Sequence, residues 1–396
     1  MSADDAIALD QRYILQTYAR PDFVLDRGDG VYLFDTNGRR YLDCVAGIAV
    51  NALGYGDGQV ARAIAEQASR LIHTSNLYYT RPAGELARLL VERSFADRVF
   101  FSNSGAEAIE GALKFARKYA REHGCAGKTA IVAFSGSFHG RTMGAVAVTH
   151  REKYREPFAP VMPGVRFAPF NDLQAAEAAI GDDVCAVVVE PVQGEGGLSV
   201  ATPEFLRGLR ARCDRVGALL ILDEIQCGLG RTGTLWAHEP YGVTPDVMTV
   251  AKPLGGGLPI GAILMTQAVA DTIHAGEHGT TFGGGPLVTA VARVVFERIA
   301  DPAFLAHVRE VADYMEEALH DFASAHPQVL ELRGRGLMRG LRIDGSAAAA
   351  REAGHSAGVL LATAGDDVIR IVPPLIFERA HVDELVEKLG VAFGQL

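Results

Sequence analysis

Two short apolar runs, residues 217–222 (GALLIL) and 246–251 (DVMTVA), each hand over to one charged side chain, Asp223 and Lys252. Neither run alternates apolar with polar positions, and turn residues bound both, which is the pattern of strands in a parallel sheet covered on both faces. Parallel neighbours need long crossovers, so such strands must alternate with helices. In open α/β sheets the ligand lies beyond the carboxyl ends of the strands, which places Asp223 and Lys252 to face one pocket. The residues alone allow a second reading, a buried ion pair closing two strands, since charges are seldom buried unpaired.

The 396 residues are 48% hydrophobic, enough for two domains that share an interface. A formal charge of −10 argues against a nucleic-acid or membrane-surface partner, because phosphate backbones need a basic footprint. Five cysteines, with an odd count and no C-x-x-C spacing, suit a reducing compartment and no structural metal. The opening MSADDAIALDQRY is acidic and without an apolar core, and no apolar span reaches membrane length, so the expected location is cytoplasmic.

Along the chain, VYLFDTNGRRYLD reads as a hairpin around an Asn-Gly turn. Residues 59–72 and 85–93 have amphipathic helical patterns. After Arg98 strand and helix alternate: VFF, the helix 106–122, TAIVAF, then VCAVVVE, PEFLRGLRARC and ALLILDE. This predicts an α/β fold with a mostly parallel sheet and helices on both faces. From about Asp301 a long helix, AFLAHVREVADYMEEALHDF, leads to strands at LMRGLRI and VIRIVPP and a last helix after Glu378. The expected division is a large domain over 53–295 and a smaller α+β domain made of 1–52 with 296–396.

Several stretches carry chemistry. FFSNSGAEAIEGALKFARKY joins a strand to a helix through Ser102, Ser104, Gly105 and Ala106, with the capping-box spacing Ser104-x-x-Glu107. Free N–H groups at such a helix start favour a phosphate, although a plain cap explains the same residues. SGSFHGRT presents Phe138, which can stack on a planar group, with His139 and with Arg141, whose fork suits a carboxylate. EPVQGEGG sets Glu190 and Glu195 beyond a strand, where each could also be a turn-stabilising acid. GLGRTG matches a dinucleotide pattern, but TLWAHEPYG follows it instead of a helix, so no nicotinamide site is expected. His274 and His278 flank Gly276 in a loop-like HAGEH and are not read as metal ligands. One chemistry that uses an acid and an amine together is that of pyridoxal phosphate: a lysine holds the aldehyde as a Schiff base, and an acidic residue keeps the pyridine nitrogen protonated.

Taken in order, TYARPDFVLDRGDGVYLFDTNGRRYLDCVAGIAV, HTSNLYY, SNSGAEA, SFHGRT, EPVQGEGG, LDEIQCGLGRTG, AKPLGGGLPIGA, HGTTFGG, GLMRG and VIRIVPPL resemble the class III pyridoxal-phosphate-dependent aminotransferases over nearly the whole chain. The similarity points to their acetylornithine branch. It implies the fold-type I architecture and a homodimer with shared active sites. For the cofactor it implies Lys252 at the Schiff base, Asp223 at the pyridine nitrogen, Gln226 at the phenolic oxygen and Phe138 on the ring face, with His139 nearby. Ser104, Gly105 and Ala106 would hold the phosphate, with Thr281 arriving from the partner chain. For substrate it implies Tyr18 and Arg141 at a carboxylate, and Glu195 paired with Arg370 as a switch. The implied reaction moves the terminal amine of N2-acetyl-L-ornithine to 2-oxoglutarate, giving N-acetyl-L-glutamate 5-semialdehyde and glutamate. The rivals are an ornithine, 4-aminobutyrate, succinylornithine or acyl-lysine donor, an aminomutase, or a binding protein without turnover. Three local departures from the family pattern are GYGDG at 54–58, Ile109 and Gly285.

Overall fold

The computed structural model describes residues 2–396. Strands β1 (Leu25–Asp29), β2 (Tyr32–Asp35) and β3 (Arg40–Asp43) form an antiparallel amino-terminal sheet. The β2–β3 turn is the expected one: Gly38 takes φ 80°, and the Asp35 carboxylate accepts the N–H groups of Asn37 and Arg39, both at 2.9 Å.

The large sheet contains β4 (Arg98–Ser102), β5 (Ala130–Phe134), β6 (Val165–Ala168), β7 (Val184–Val189), β8 (Leu219–Asp223), β9 (Val247–Val250) and β10 (Gly261–Met265), in the order β4-β10-β9-β8-β7-β5-β6. Strands β5 to β9 are parallel, whereas β10 runs antiparallel to both of its neighbours. Every residue of β7, β8 and β9 is buried. Their apolar side chains divide between two layers: Ile221 packs with the helix Gly105–Glu122 on one face, while Leu220 and Leu222 pack with the helix Pro203–Val216 on the other. That is why neither run alternates in sequence.

The carboxyl-terminal part adds β11 (Val329–Arg335), β12 (Met338–Ile343), β13 (Val359–Leu360), β14 (Ala362–Thr363) and β15 (Val368–Ile371). Four of these make the sheet β11-β12-β15-β14, and β13 joins β3 in parallel, so the amino-terminal hairpin and the end of the chain share a sheet. The helix Pro302–Ala325 contributes Val308, Met315 and Leu319 to a core that also holds Leu42, Leu254, Ile371 and Leu385. Among the described residues no helix is long and apolar enough to cross a membrane.

Some local expectations change. A helix at Ala3–Tyr13, capped by Ser2 and Asp5, stands where the sequence reading assigns no element. The second amphipathic helix begins at Arg81, four residues earlier than its apolar pattern suggests, because Pro82 sits in its first turn where a missing N–H costs nothing. Residues Ala46, Gly47, Ile48 and Ala49 all have φ between 49° and 65°, a left-handed turn that no motif announced.

Candidate active site

Asp223 is the last residue of β8 and pairs in register with Thr249 of β9; Lys252 follows two residues after β9 ends. The chain leaves β9 through a short 3-10 turn, Lys252–Gly255, in which Lys252 takes φ 22°, an uncommon conformation for a side chain of its size. Acid and amine therefore reach the same sheet edge from neighbouring strands.

Asp223 is buried and held as an acceptor on both oxygens. His139 Nδ1 lies 2.7 Å from Oδ2, while Oδ1 accepts from Ile225 N–H at 3.0 Å and Thr249 O–H at 3.3 Å. Burial works against a charged His139, but the Asp223 hydrogen bond and the charges of Glu190 and Asp223 outweigh it and raise the imidazole above its ordinary value. Its Nε2 is buried without a partner among the described residues. Beside it, Glu190 accepts the Phe138 N–H at 3.3 Å, and burial pushes its carboxyl up to about 8, with His139 pulling it down and Asp223 pushing it further up. Lys252 lines the cavity and is only part-buried at its surface, yet loss of hydration, aided by the charge of Arg370, pulls its amine down to about 8.

Arg370 reaches this edge from β15. Its Nη1 donates to Glu195 Oε1 at 2.5 Å, to the Gly194 carbonyl at 3.1 Å and to Gln226 Oε1 at 3.3 Å. The close approach needs a glycine at 194, since a Cβ there would stand 2.3 Å from Gln226 Oε1. Arg370 Nε remains buried and unpaired. Arg141 lies with its guanidinium 3.5 Å from the Tyr154 ring centroid and 5.6 Å from that of Phe138, and has no acidic partner among the described residues.

On the opposite wall the helix Gly105–Glu122 begins with Ser104 accepting the Glu107 N–H at 3.2 Å. The expected capping box is only half made, because Glu107 turns instead to the N–H and Nδ2 of Asn103, at 2.8 and 2.9 Å. The N–H groups of Gly105 and Ala106 find no partner among the described residues and border the cavity.

These groups enclose a cavity of about 500 Å³. Of the cofactor and substrate residues that the family resemblance implies, all line it except three. Arg370 stands just behind Glu195, Tyr18 is 73% exposed beside Arg20, and Thr281 is exposed. Sequence reading passed over Asn103, Thr249 and the buried Glu224, whose carboxylate ties down Ala237 N–H (2.6 Å), His238 N–H (2.9 Å) and His238 Nδ1 (2.6 Å). The available signal for Glu224 was a second acid directly after Asp223 at the end of an apolar strand. His278 lies against Lys114 at 2.8 Å, and no metal-binding cluster of His, Cys, Asp and Glu occurs among the described residues.

The family described as aminotransferase class-III matches residues 14–393. A mitochondrial acetylornithine aminotransferase of Alnus glutinosa is 52% identical over 96% of this chain and 85% of its own length. Two solved structures are similar throughout. The ornithine aminotransferase from Toxoplasma gondii has a TM-score of 0.96 at 32% identity, over 100% of this chain and 96% of its own. The N-acetylornithine aminotransferase from Stenotrophomonas maltophilia has a TM-score of 0.85 at 40% identity, over 98% of both chains.

Proposed function

The chain belongs to the class III aminotransferases, and on that premise we propose that it transfers the terminal amine of N2-acetyl-L-ornithine to 2-oxoglutarate, releasing N-acetyl-L-glutamate 5-semialdehyde and L-glutamate. The family depends on pyridoxal phosphate, and the cavity fits that group: a depressed amine, a fixed carboxylate, an aromatic face and unpaired N–H groups at a helix start converge on one space. Lys252 would hold the aldehyde, Asp223 the pyridine nitrogen, Gln226 the phenolic oxygen, Phe138 with His139 the ring, and Ser104, Gly105 and Ala106 the phosphate. When bound, the cofactor serves as an electron sink for a carbanion at the reacting carbon.

The chain's own residues then divide the work. Lys252, with its amine lowered to about 8, is neutral often enough near pH 7 to take a proton from the substrate carbon and to return it. Asp223 accepts from His139, Ile225 and Thr249, which fix the orientation of the carboxyl group that would keep the pyridine nitrogen protonated. Arg141, uncompensated at the mouth, is placed for the substrate carboxylate remote from the reacting amine. The observation that carries the substrate reading is the Glu195–Arg370 pair at 2.5 Å beside Lys252. It masks a second carboxylate site from a donor that lacks a charge there, and a dicarboxylate such as glutamate uncovers it.

We assign the cofactor site to a large domain over 53–295 and the remainder to a small domain. This division draws support from the sheet shared by β3 and β13, which binds the two chain ends together. A second copy of the chain would bring Thr281 to the phosphate, and the exposure of Thr281 on a single chain agrees with that role.

Single-turnover kinetics of each half-reaction test the reading, using acetylornithine, succinylornithine, ornithine, 4-aminobutyrate and glutamate as donors. Acetylornithine and glutamate should be the efficient pair. Arg141→Ala should slow both half-reactions about ten- to a hundredfold, and Arg370→Ala chiefly that of glutamate. Equal losses in both half-reactions for Arg370→Ala would remove the switch, and a better donor than acetylornithine would replace the substrate.

A further inference from the structure

Beside the catalytic cavity lies a second one of about 420 Å³, bordered by Arg151, Lys153, Tyr154, Ser346 and Asp366. Glu195 lines both spaces. Tyr154 stands at the same divide: its ring carries Arg141 of the catalytic cavity at 3.5 Å and Lys153 of the side cavity at 5.4 Å. Neither Arg151 nor Lys153 has an acidic partner within ion-pair distance among the described residues.

The switch leaves a charge without a place. When a dicarboxylate claims Arg370, the Glu195 carboxylate must leave a partner 2.5 Å away, and the catalytic cavity now holds two further carboxylates. Staying there would set like charges close together. The Glu195 backbone is also restrained, because Arg151 Nη2 donates to its carbonyl at 3.0 Å and the Gly194 carbonyl is bonded to Arg370 at 3.1 Å. Motion is thereby confined to the side chain, which already borders the side cavity and its two uncompensated cations. The exposed Asp366 opposes a new negative charge there, but one acid faces two bases.

We propose that this side cavity receives the Glu195 carboxylate when a dicarboxylate occupies Arg370. Arg151 and Lys153 serve as its counter-charges and thereby set how strongly the enzyme prefers dicarboxylates to single-carboxylate ligands. The proposal rests on the Glu195–Arg370 switch described above. Arg151 and Lys153 are positioning residues, since neither touches the reacting atoms.

The test is calorimetric binding to the holoenzyme of glutarate, which has two carboxylates and no amine or oxo group, and of pentanoate, which has one. Lys153→Gln, an exposed substitution that leaves the Glu195 backbone contact in place, and the double substitution Arg151→Gln/Lys153→Gln are compared with Lys153→Arg. The double substitution should weaken glutarate about five- to tenfold while pentanoate changes less than about twofold; Lys153→Gln alone should give part of that effect and Lys153→Arg should preserve the preference. In a Glu195→Gln background the same substitutions should change glutarate binding less than about twofold, because no charge has to be received. Equal weakening of both ligands, or the same glutarate loss in the Glu195→Gln background, overturns the proposal while leaving the switch intact. If Glu195→Gln by itself leaves the glutarate-to-pentanoate preference unchanged, the switch falls and the proposal falls with it.

Discussion

Burial acts in opposite senses on Lys252 and Glu190, and both effects favour the uncharged form. For Lys252 the consequence is chemical. An amine of ordinary pKa is neutral in about one molecule in three thousand at pH 7, whereas one at about 8 is neutral in about one in ten. Covalent capture of pyridoxal phosphate by the cofactor-free protein, trapped with borohydride and located by peptide mass spectrometry, should therefore rise with pH to a midpoint near 8, and Lys252→Ala should abolish both capture and multiple turnover. A rate still climbing above pH 10 would show an ordinary lysine. The sign for stability follows from the same shift. Between about 8 and 10.5 the unfolded chain keeps a proton that the folded one has released, so the cofactor-free fold gains stability as pH rises through that window. A second expectation concerns Asp223, which raises His139 and is itself held by it. Asp223→Asn should lower kcat at least about a hundredfold with little change in substrate KM. By nuclear magnetic resonance it should also move the His139 titration downward, an effect a simple strand-end ion pair with Lys252 would not produce. Most of these site residues were readable because each stands next to a turn glycine or at the end of an apolar run. The orientation of Glu107 toward Asn103 was not, since the S-x-x-E spacing is the same whether the acid bonds to the cap or to the residue before it.

Among the elements, those with strong periodicity were legible and those stabilised by distant contacts were not. The runs that became β7, β8 and β9 show their double burial directly in composition, and the helix Pro302–Ala325 shows its apolar face. By contrast, the antiparallel sense of β10 depends on pairing with β4, more than 150 residues earlier in the chain, and no local pattern encodes direction. The left-handed turn at Ala46–Ala49 is the sharpest case. Three of its four residues bear a Cβ, which costs roughly 3–6 kcal/mol in all. Backbone bonds from Ala49 to Val45 (2.9 Å) and from Val50 to Ala46 (2.7 Å) offset part of it. The rest depends on Asp43, whose buried carboxylate accepts from Val45 N–H (2.8 Å), Ala46 N–H (3.0 Å) and Tyr55 O–H (2.6 Å) and faces the charge of Arg231. Burial lowers Arg231 to about 9, and its Nε and Nη2 have no partner, so removing the acid leaves an isolated cation. Asp43→Ala should cost about 3 kcal/mol, read as a lowered urea midpoint, while Asp43→Asn, which still accepts hydrogen bonds, should cost about 1 kcal/mol. Because Val50 at the end of this turn lines the catalytic cavity, the same variants should also weaken cofactor retention, measured by equilibrium dialysis. Equal stability of Asp43→Ala and the parent would mean that the turn is held by its packing alone.

For the molecule as a whole, one face of the chain carries exposed apolar side chains. Ile72, Leu77, Tyr78, Tyr79 and Phe282 are each more than half exposed. Two of the segments that carry them are joined, since Asn76 Nδ2 donates to the carbonyls of Thr280 and Gly283, both at 3.0 Å, and His73 packs on Phe282 with centroids 5.0 Å apart. A patch of this kind is costly in water and is what a subunit interface covers. Thr281 lies within it and outside the cavity of its own chain. The sequence named Thr281 through family likeness alone, because a group supplied by another chain leaves no trace in local periodicity. If the partner's threonine completes the phosphate site, two inactive proteins can rescue each other. Lys252→Ala disables the site of the chain that carries it, whereas Thr281→Glu sets a negative charge against the phosphate of the opposite site. Each homodimer then has two damaged sites. A hybrid of one chain of each kind gathers both lesions into one site and leaves the other intact. Hybrids isolated with two different affinity tags should show about half the parental activity, one good site of two. Should Thr281 serve its own chain, both sites of the hybrid would be damaged and no activity would return, and the shared-site arrangement would be wrong even if the protein is a dimer.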